Sequence, residues 1–151
     1  MLVDEAMTNK VLTVAPETKL EALLTTYRHD EISRLVYVVD KKEGLLGIIS
    51  SFDVLTKLVD GTGLNKLLGR RTVFDIKDGI DKHKNLTAAD LMLTRYLSVA
   101  PYDNVTRAME LISQKRILAL PVVSDNKLRG EISRYSILRA IARAGMRQPL
   151  A

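Results

Sequence analysis

The chain has 151 residues, 46% apolar and 27% charged, with a formal charge of +5 and no cysteine. That length suits one compact unit or two small halves sharing a core, and the lack of cysteine excludes disulfides, thiolate nucleophiles and cysteine-bound metals, as in a reducing cytoplasm. No run approaches the roughly 20 apolar residues of a membrane span, the opening MLVDEAMTNK does not read as a signal peptide, and scattered basic residues with only 5% aromatics argue against a nucleic-acid platform.

In chain order, VDEAM (Val3–Met7) reads as a short helical turn. LTVAP (Leu12–Pro16) is extended and stops at its proline. Leu20, Leu23, Leu24 and Tyr27 then follow the i, i+3, i+4, i+7 spacing of one helix face. LVYVV (Leu35–Val39) is a β-branched apolar run that predicts a buried strand, DKKEG a turn, and LLGIIS (Leu45–Ser50) a second strand. A second helix begins just past Ser50. Asp60–Leu86 is glycine-rich and charged without a clean period, and reads as a linker with one short helix at Leu64–Leu68. TAADLM (Thr87–Met92) is a helical turn capped by Thr87, matching VDEAM.

The pattern then repeats. LTVAPETKLEALLTTY (Leu12–Tyr27) lies over LSVAPYDNVTRAMELI (Leu97–Ile112), with Pro101 standing 85 residues after Pro16. Val105, Ala108, Met109 and Ile112 repeat the helix face, LPVV (Leu120–Val123) repeats the buried strand, and GEISRYSIL repeats GIISSFDVL. Gly130 follows Gly47 by only 83, and the two missing residues are assigned to the hairpin turn, where a length change is cheapest. The expected fold is therefore α/β (α+β): two pseudo-symmetric strand–helix–strand–strand–helix units, 1–60 and 87–151, joined by a linker over 61–86. Neither unit buries enough surface to stand alone, so the two should pack sheet to sheet.

Ser50 and Asp53 have the spacing of a capping box at a helix start. The same place offers free N–H groups to a phosphate, and a carboxylate there can accept both hydroxyls of a ribose. In the second copy Ser133 is kept, Ser136 stands for Asp53 and Arg134 for Ser51. Arg134 either points to solvent or reaches an anion. His29 and His83 have no companion at metal-ligand spacing and read as surface or capping residues. GTGLNKLLG lacks the Gly-Lys-Ser/Thr ending of a phosphate loop. Arg139, Arg143 and Arg147 read as a solvated helix face or, alternatively, a docking patch. Glu131, where the first copy has Ile48, faces solvent or a dimer contact. No nucleophile–base pair or metal cluster suggests an enzyme.

The two tandem units, the VAP stretch before each first helix, the apolar-Pro-Val-Val strand and Gly-x-Ile-Ser-x-x-Asp before the last helix resemble a pair of cystathionine β-synthase (CBS) domains, known as a Bateman module, over nearly the whole chain. The resemblance implies two clefts between units that hold AMP, ADP or ATP, with no cofactor, metal or catalysis. It assigns Asp53 to ribose and Ser50 to phosphate, and matches Thr13, Val14, Leu35, Val36 and Tyr37 to the segments around the base. In the second copy the matching positions are Leu120, Pro121, Val122, Ser133, Arg134 and Ser136. Val36 departs from a frequent proline and Ser136 from the aspartate, so the clefts should differ. The resemblance further implies a homodimer that regulates a separate, unidentified protein, the alternative being a dimerisation scaffold without ligand.

Overall fold

Two copies of one chain path make up the computed structural model, which describes residues 1–28, 33–60 and 76–145. The first comprises α1 (Val3–Ala6), β1 (Leu12–Val14), α2 (Leu20–Thr25), β2 (Leu35–Val39), β3 (Leu45–Ser50) and α3 (Ser51–Asp60). After α4 (Ile76–Lys82) the second comprises α5 (Ala88–Leu91), α6 (Val105–Lys115), β4 (Ala119–Ser124), β5 (Lys127–Ser133) and α7 (Arg134–Gly145). α4 lies within the segment read as linker, and the short helix expected at Leu64–Leu68 lies outside the described residues. β1 pairs parallel with β2, and β2 antiparallel with β3. β4 and β5 form an antiparallel pair. The second copy of β1 is reduced to a bridge between Val99 and Val122, and Leu97 is exposed where its counterpart Leu12 is buried.

The helix faces differ from expectation at one position each. α2 ends at Thr25 and continues as a 3₁₀ turn, Thr26–Arg28. The hydroxyls of Thr25 and Thr26 donate to the carbonyls of Ala22 and Leu23 at 2.6 and 2.7 Å, local bonds that compete with helix propagation. Tyr27 consequently leaves the core face and is only partly covered, at 42% exposed. In α6, Asn104 caps the start by accepting from Thr106 N, and the helix runs on to Lys115, burying Val105, Ala108 and Ile112 while Met109 faces out.

The two short leader helices are exchanged between the cores. Val3 and Ala6 of α1 pack with Val99, Val105, Ala108, Ile112, Leu120 and Ile132 of the second copy. Ala88 and Leu91 of α5 pack with Leu20, Leu23, Val36, Val38 and Ile49 of the first. The backbone bonds are reciprocal: Val3 and Asp4 N–H donate to Asp103 and Pro101 carbonyls, and Ala88 and Ala89 N–H donate to Thr18 and Pro16 carbonyls. The stretch after each leader then crosses the other copy's last strand, as a Thr8–Glu131 bridge on β5 and a Leu93–Ile48 bridge on β3. The repeated glycine makes room for this crossing. A Cβ on Gly130 would sit 2.3 Å from Thr8 O, and one on Gly47 would sit 2.6 Å from Met92 Sδ.

The strand registers correct the sequence alignment by one residue. Val36 opposes Ile49 and Val38 opposes Gly47, whereas Leu120 opposes Ile132 and Val122 opposes Gly130. Val36 therefore corresponds to Leu120, and Tyr37 to Pro121. The two-residue shortening is split: one residue is lost between helix and strand, the other in the hairpin turn. That turn is a five-residue loop in the first copy, held by the Asp40 carboxylate accepting from Lys42 N and Gly44 N. In the second, β4 and β5 each run one residue further into the same stretch and leave a two-residue turn with Asp125 and Asn126 both at positive φ, the form that matches strand twist. Leu35, Tyr37 and Ala119, with Ile48, Val39, Leu45 and Leu128 around them, form a third cluster where the two copies' strands meet.

Candidate functional site

Both final helices start with the same backbone device. At α3, Ser50 Oγ accepts from Asp53 N at 3.1 Å and donates to Asp53 Oδ2 at 2.6 Å, while Ser50 N donates to the same oxygen at 3.3 Å. At α7, Ser133 Oγ accepts from Ser136 N at 3.1 Å, and Ser136 Oγ accepts from Ser133 N at 2.9 Å and donates to Ser133 O at 3.0 Å. Asp53 adds a carboxylate, half-buried, beside the Tyr27 phenol, whose pKa is pushed up by burial and then by the Asp53 charge.

A cleft of about 580 Å³ opens at the start of α7. One wall is the exchanged leader, Glu5–Lys10, and the other is Ser133, Tyr135, Ser136, Arg139, Ala140 and Arg143. The Tyr135 ring carries the guanidinium of Arg139 at 5.8 Å and that of Arg34, from the other copy, at 5.6 Å from its centroid, close enough for cation–π attraction. A second cleft of about 350 Å³ is lined by Thr13–Glu17 and Val39–Lys41.

Glu131 is 1% exposed and belongs to neither solvent nor a dimer contact. Its carboxylate reaches across the seam into the first copy. It accepts from Arg34 N at 2.8 and 3.0 Å, Leu35 N at 3.1 Å and Tyr37 Oη at 2.7 Å. Burial raises its pKa despite these donors, which pull the other way. The Tyr37 hydroxyl is also raised, first by burial and then by the Glu131 charge.

The CBS domain model matches residues 3–60 and 88–143. The chain belongs to the CBS domain family. Among solved CBS structures, CBSX2 in complex with AMP is 26% identical, with a TM-score of 0.72 covering 95% of this chain and 98% of that one. CBSX2 from Arabidopsis thaliana is 25% identical with a TM-score of 0.75, covering 96% of each. The mitochondrial CBS domain-containing protein CBSX3 of Arabidopsis thaliana is 25% identical over 127 residues, which is 83% of this chain and 53% of the relative. The chain thus spans about half the length of that curated relative. The matched regions are CBS domains, non-enzymatic modules. Among the described residues no helix is long and apolar enough to cross a membrane, and no group of three His, Asp or Glu could hold a metal.

Within this CBS pair the residues singled out from sequence are dispersed. Ser133 and Ser136 line the larger cleft, and Thr13 and Val14 the smaller one. The smaller cleft lies at the far end of β2 from Ser50, which opposes Leu35. Val36, Leu120 and Val122 face the two cores, Leu35 and Tyr37 face the seam, and Pro121 is fully buried. Arg134 is exposed and does not line the larger cleft, whereas Arg139 and Arg143 do. Sequence held a signal for this pair, since they stand three and seven residues after Ser136, on one helix face. The opposite wall was hidden, because it comes from the exchanged leader. His83 is half-buried with Nε2 lacking a hydrogen-bond partner, so it is neither a surface nor a capping side chain. His29, Arg147 and Gly61–Gly69 lie outside the described residues.

Proposed function

We propose that this CBS pair is a regulatory module that senses an adenosine nucleotide (AMP, ADP or ATP) and acts on a separate partner protein in a reducing compartment such as the cytoplasm. The observation that carries the reading is the cleft of about 580 Å³, in which a leader from one copy meets a basic helix face of the other. A ligand there touches α7 and the Glu5–Lys10 segment, which runs on into β1 of the first copy, so its binding bears on the link between the two copies. The AMP complex of CBSX2, 26% identical over nearly its full length, supports the ligand class. In this reading Asp53 accepts the ribose hydroxyls at the start of α3. Only its Oδ2 is engaged in the cap, which leaves Oδ1 for a ligand.

The exposed apolar faces favour a homodimer. Phe52 and Leu55 on α3 are 74% and 57% exposed, and Leu138 and Ile141 on α7 are 64% and 49% exposed. Isologous pairing would cover both faces. That face also supports the second reading, a dimerisation scaffold without ligand. Thermal melts decide between them. A ligand of the folded state at 100 times its Kd stabilises by about 2.7 kcal/mol, so AMP or ATP should raise Tm. No shift at millimolar nucleotide, together with a dimer in ultracentrifugation, would leave the scaffold.

A further inference from the structure

We propose that the cleft at the start of α7 selects its ligand by the phosphate chain and is indifferent to the ribose diol, so that it takes triphosphates in preference to monophosphates. This rests on the nucleotide reading above for the base but not for the anion. The Ser136 hydroxyl is spent inside the helix cap: its proton goes to Ser133 O and one lone pair to Ser133 N–H. One acceptor site is left on that oxygen. It cannot receive two sugar hydroxyls as the free oxygen of a carboxylate can.

The charge of the walls points to the other end of a nucleotide. Lys10, Arg139 and Arg143 line the cleft against one carboxylate, Glu5. The Glu5 carboxylate already accepts from Leu2 N. Arg139 and Arg143 are four apart on α7, a like-charge spacing that is unfavourable on a bare helix surface. An anion between them removes that repulsion. Arg139 is also oriented by the Tyr135 ring, so its donor fork is partly fixed before an anion arrives. Multiply charged oxygens gain from each such donor. A triphosphate offers these three cations more anionic oxygens than a monophosphate does.

The test is calorimetric titration of the whole chain with ATP, AMP, 2′,3′-dideoxy-ATP and inorganic tripolyphosphate. It is done on wild type, Asp53→Ala, and the double variant Arg139→Ala/Arg143→Ala, with melts to confirm folding. In Asp53→Ala, ATP and dideoxy-ATP should bind within about twofold of each other, and AMP about tenfold more weakly than ATP. The double arginine variant should lose about tenfold or more in tripolyphosphate and ATP affinity. These two arginines are exposed, so that loss should come without a lower Tm. A tenfold preference for ATP over dideoxy-ATP in Asp53→Ala, or arginine variants that bind like wild type, overturns the proposal. Binding of tripolyphosphate but of no adenosine nucleotide supports the anion site and sinks only the nucleotide reading. Binding of neither sinks both.

Discussion

At the start of α3 a carboxylate closes the helix cap, and at the start of α7 a hydroxyl closes the same ring of bonds. Both serve the backbone, so folding needs only an acceptor at that position and does not need a charge. The charge at Asp53 is therefore surplus to the fold, which makes it the feature to test for ligand. The strand pair before each helix shows the opposite division. Ile48 in the first copy is a partly buried apolar side chain, while its counterpart Glu131 is a buried carboxylate tied to Arg34, Leu35 and Tyr37. Here the second copy carries the surplus charge, and it is used for structure. It joins the copies across the seam.

The largest expected effect lies at that seam. Glu131→Ala should destabilise the fold by about 3 kcal/mol in denaturant unfolding, because the Arg34 and Leu35 N–H groups and the buried Tyr37 hydroxyl lose their acceptor. A loss under about 1 kcal/mol would mean that the bond adds nothing beyond what water supplies. Next come the repeated glycines. Gly130→Ala should cost about 2 kcal/mol, since the new methyl meets backbone at Thr8 O. Gly47→Ala should cost a similar amount, since the new methyl meets Met92 Cβ and Cγ at 2.8 Å, and Cβ moves only with the backbone. A cost near zero at either glycine would contradict the close crossing there.

Asp53→Ala should weaken AMP binding at the start of α3 about tenfold to a hundredfold, by loss of charge-assisted bonds to ribose, and leave triphosphate binding at the α7 cleft in place. It should cost the fold about 1 kcal/mol through the lost cap. Ser136→Ala should cost a similar amount in stability and change affinity little. If Ser136→Ala matches Asp53→Ala in affinity, the two helix starts are not distinct.

The smallest effect is a pH slope. The folded carboxyl of Glu131 is held above its ordinary 4.5 by burial, so the folded state binds its proton more readily than the unfolded state does. Its contribution to stability is full below pH 4.5 and falls as pH rises through the raised folded value. Asp90 has the opposite sign, because bonds from the Thr87 backbone and hydroxyl hold its carboxyl low. Wild type is therefore compared with Glu131→Gln, in which Asp90 cancels. The stability difference, wild type minus variant, should shrink as pH rises from 4.5. A difference that grows with pH would reverse the assigned shift.

The duplication, the strands at Leu35–Val39 and Leu45–Ser50 and both late helix starts were legible because period, turn residues and caps are local. The exchange of leaders was not. VDEAM and TAADLM have the same apolar spacing, so either would fill either core, and only the tertiary path chooses between them. Strand register failed for a related reason. LVYVV is buried at four of its five positions, so no alternation marks which face is which, and a one-residue slip goes unnoticed in the sequence. The Glu131 partners lie up to 97 residues away, beyond any local pattern. For the site, the cap residues were visible and the cleft was not, since one of its walls is the exchanged Glu5–Lys10 segment.

Whether the two helix starts read different parts of a ligand is decided by amide NMR titration of the wild-type chain, first with AMP and then with tripolyphosphate. AMP should shift the Ser50–Asp53 amides first, and tripolyphosphate should shift Ser133–Arg143 while leaving Ser50–Asp53 in place. Equal movement of both helix starts with either ligand would contradict this.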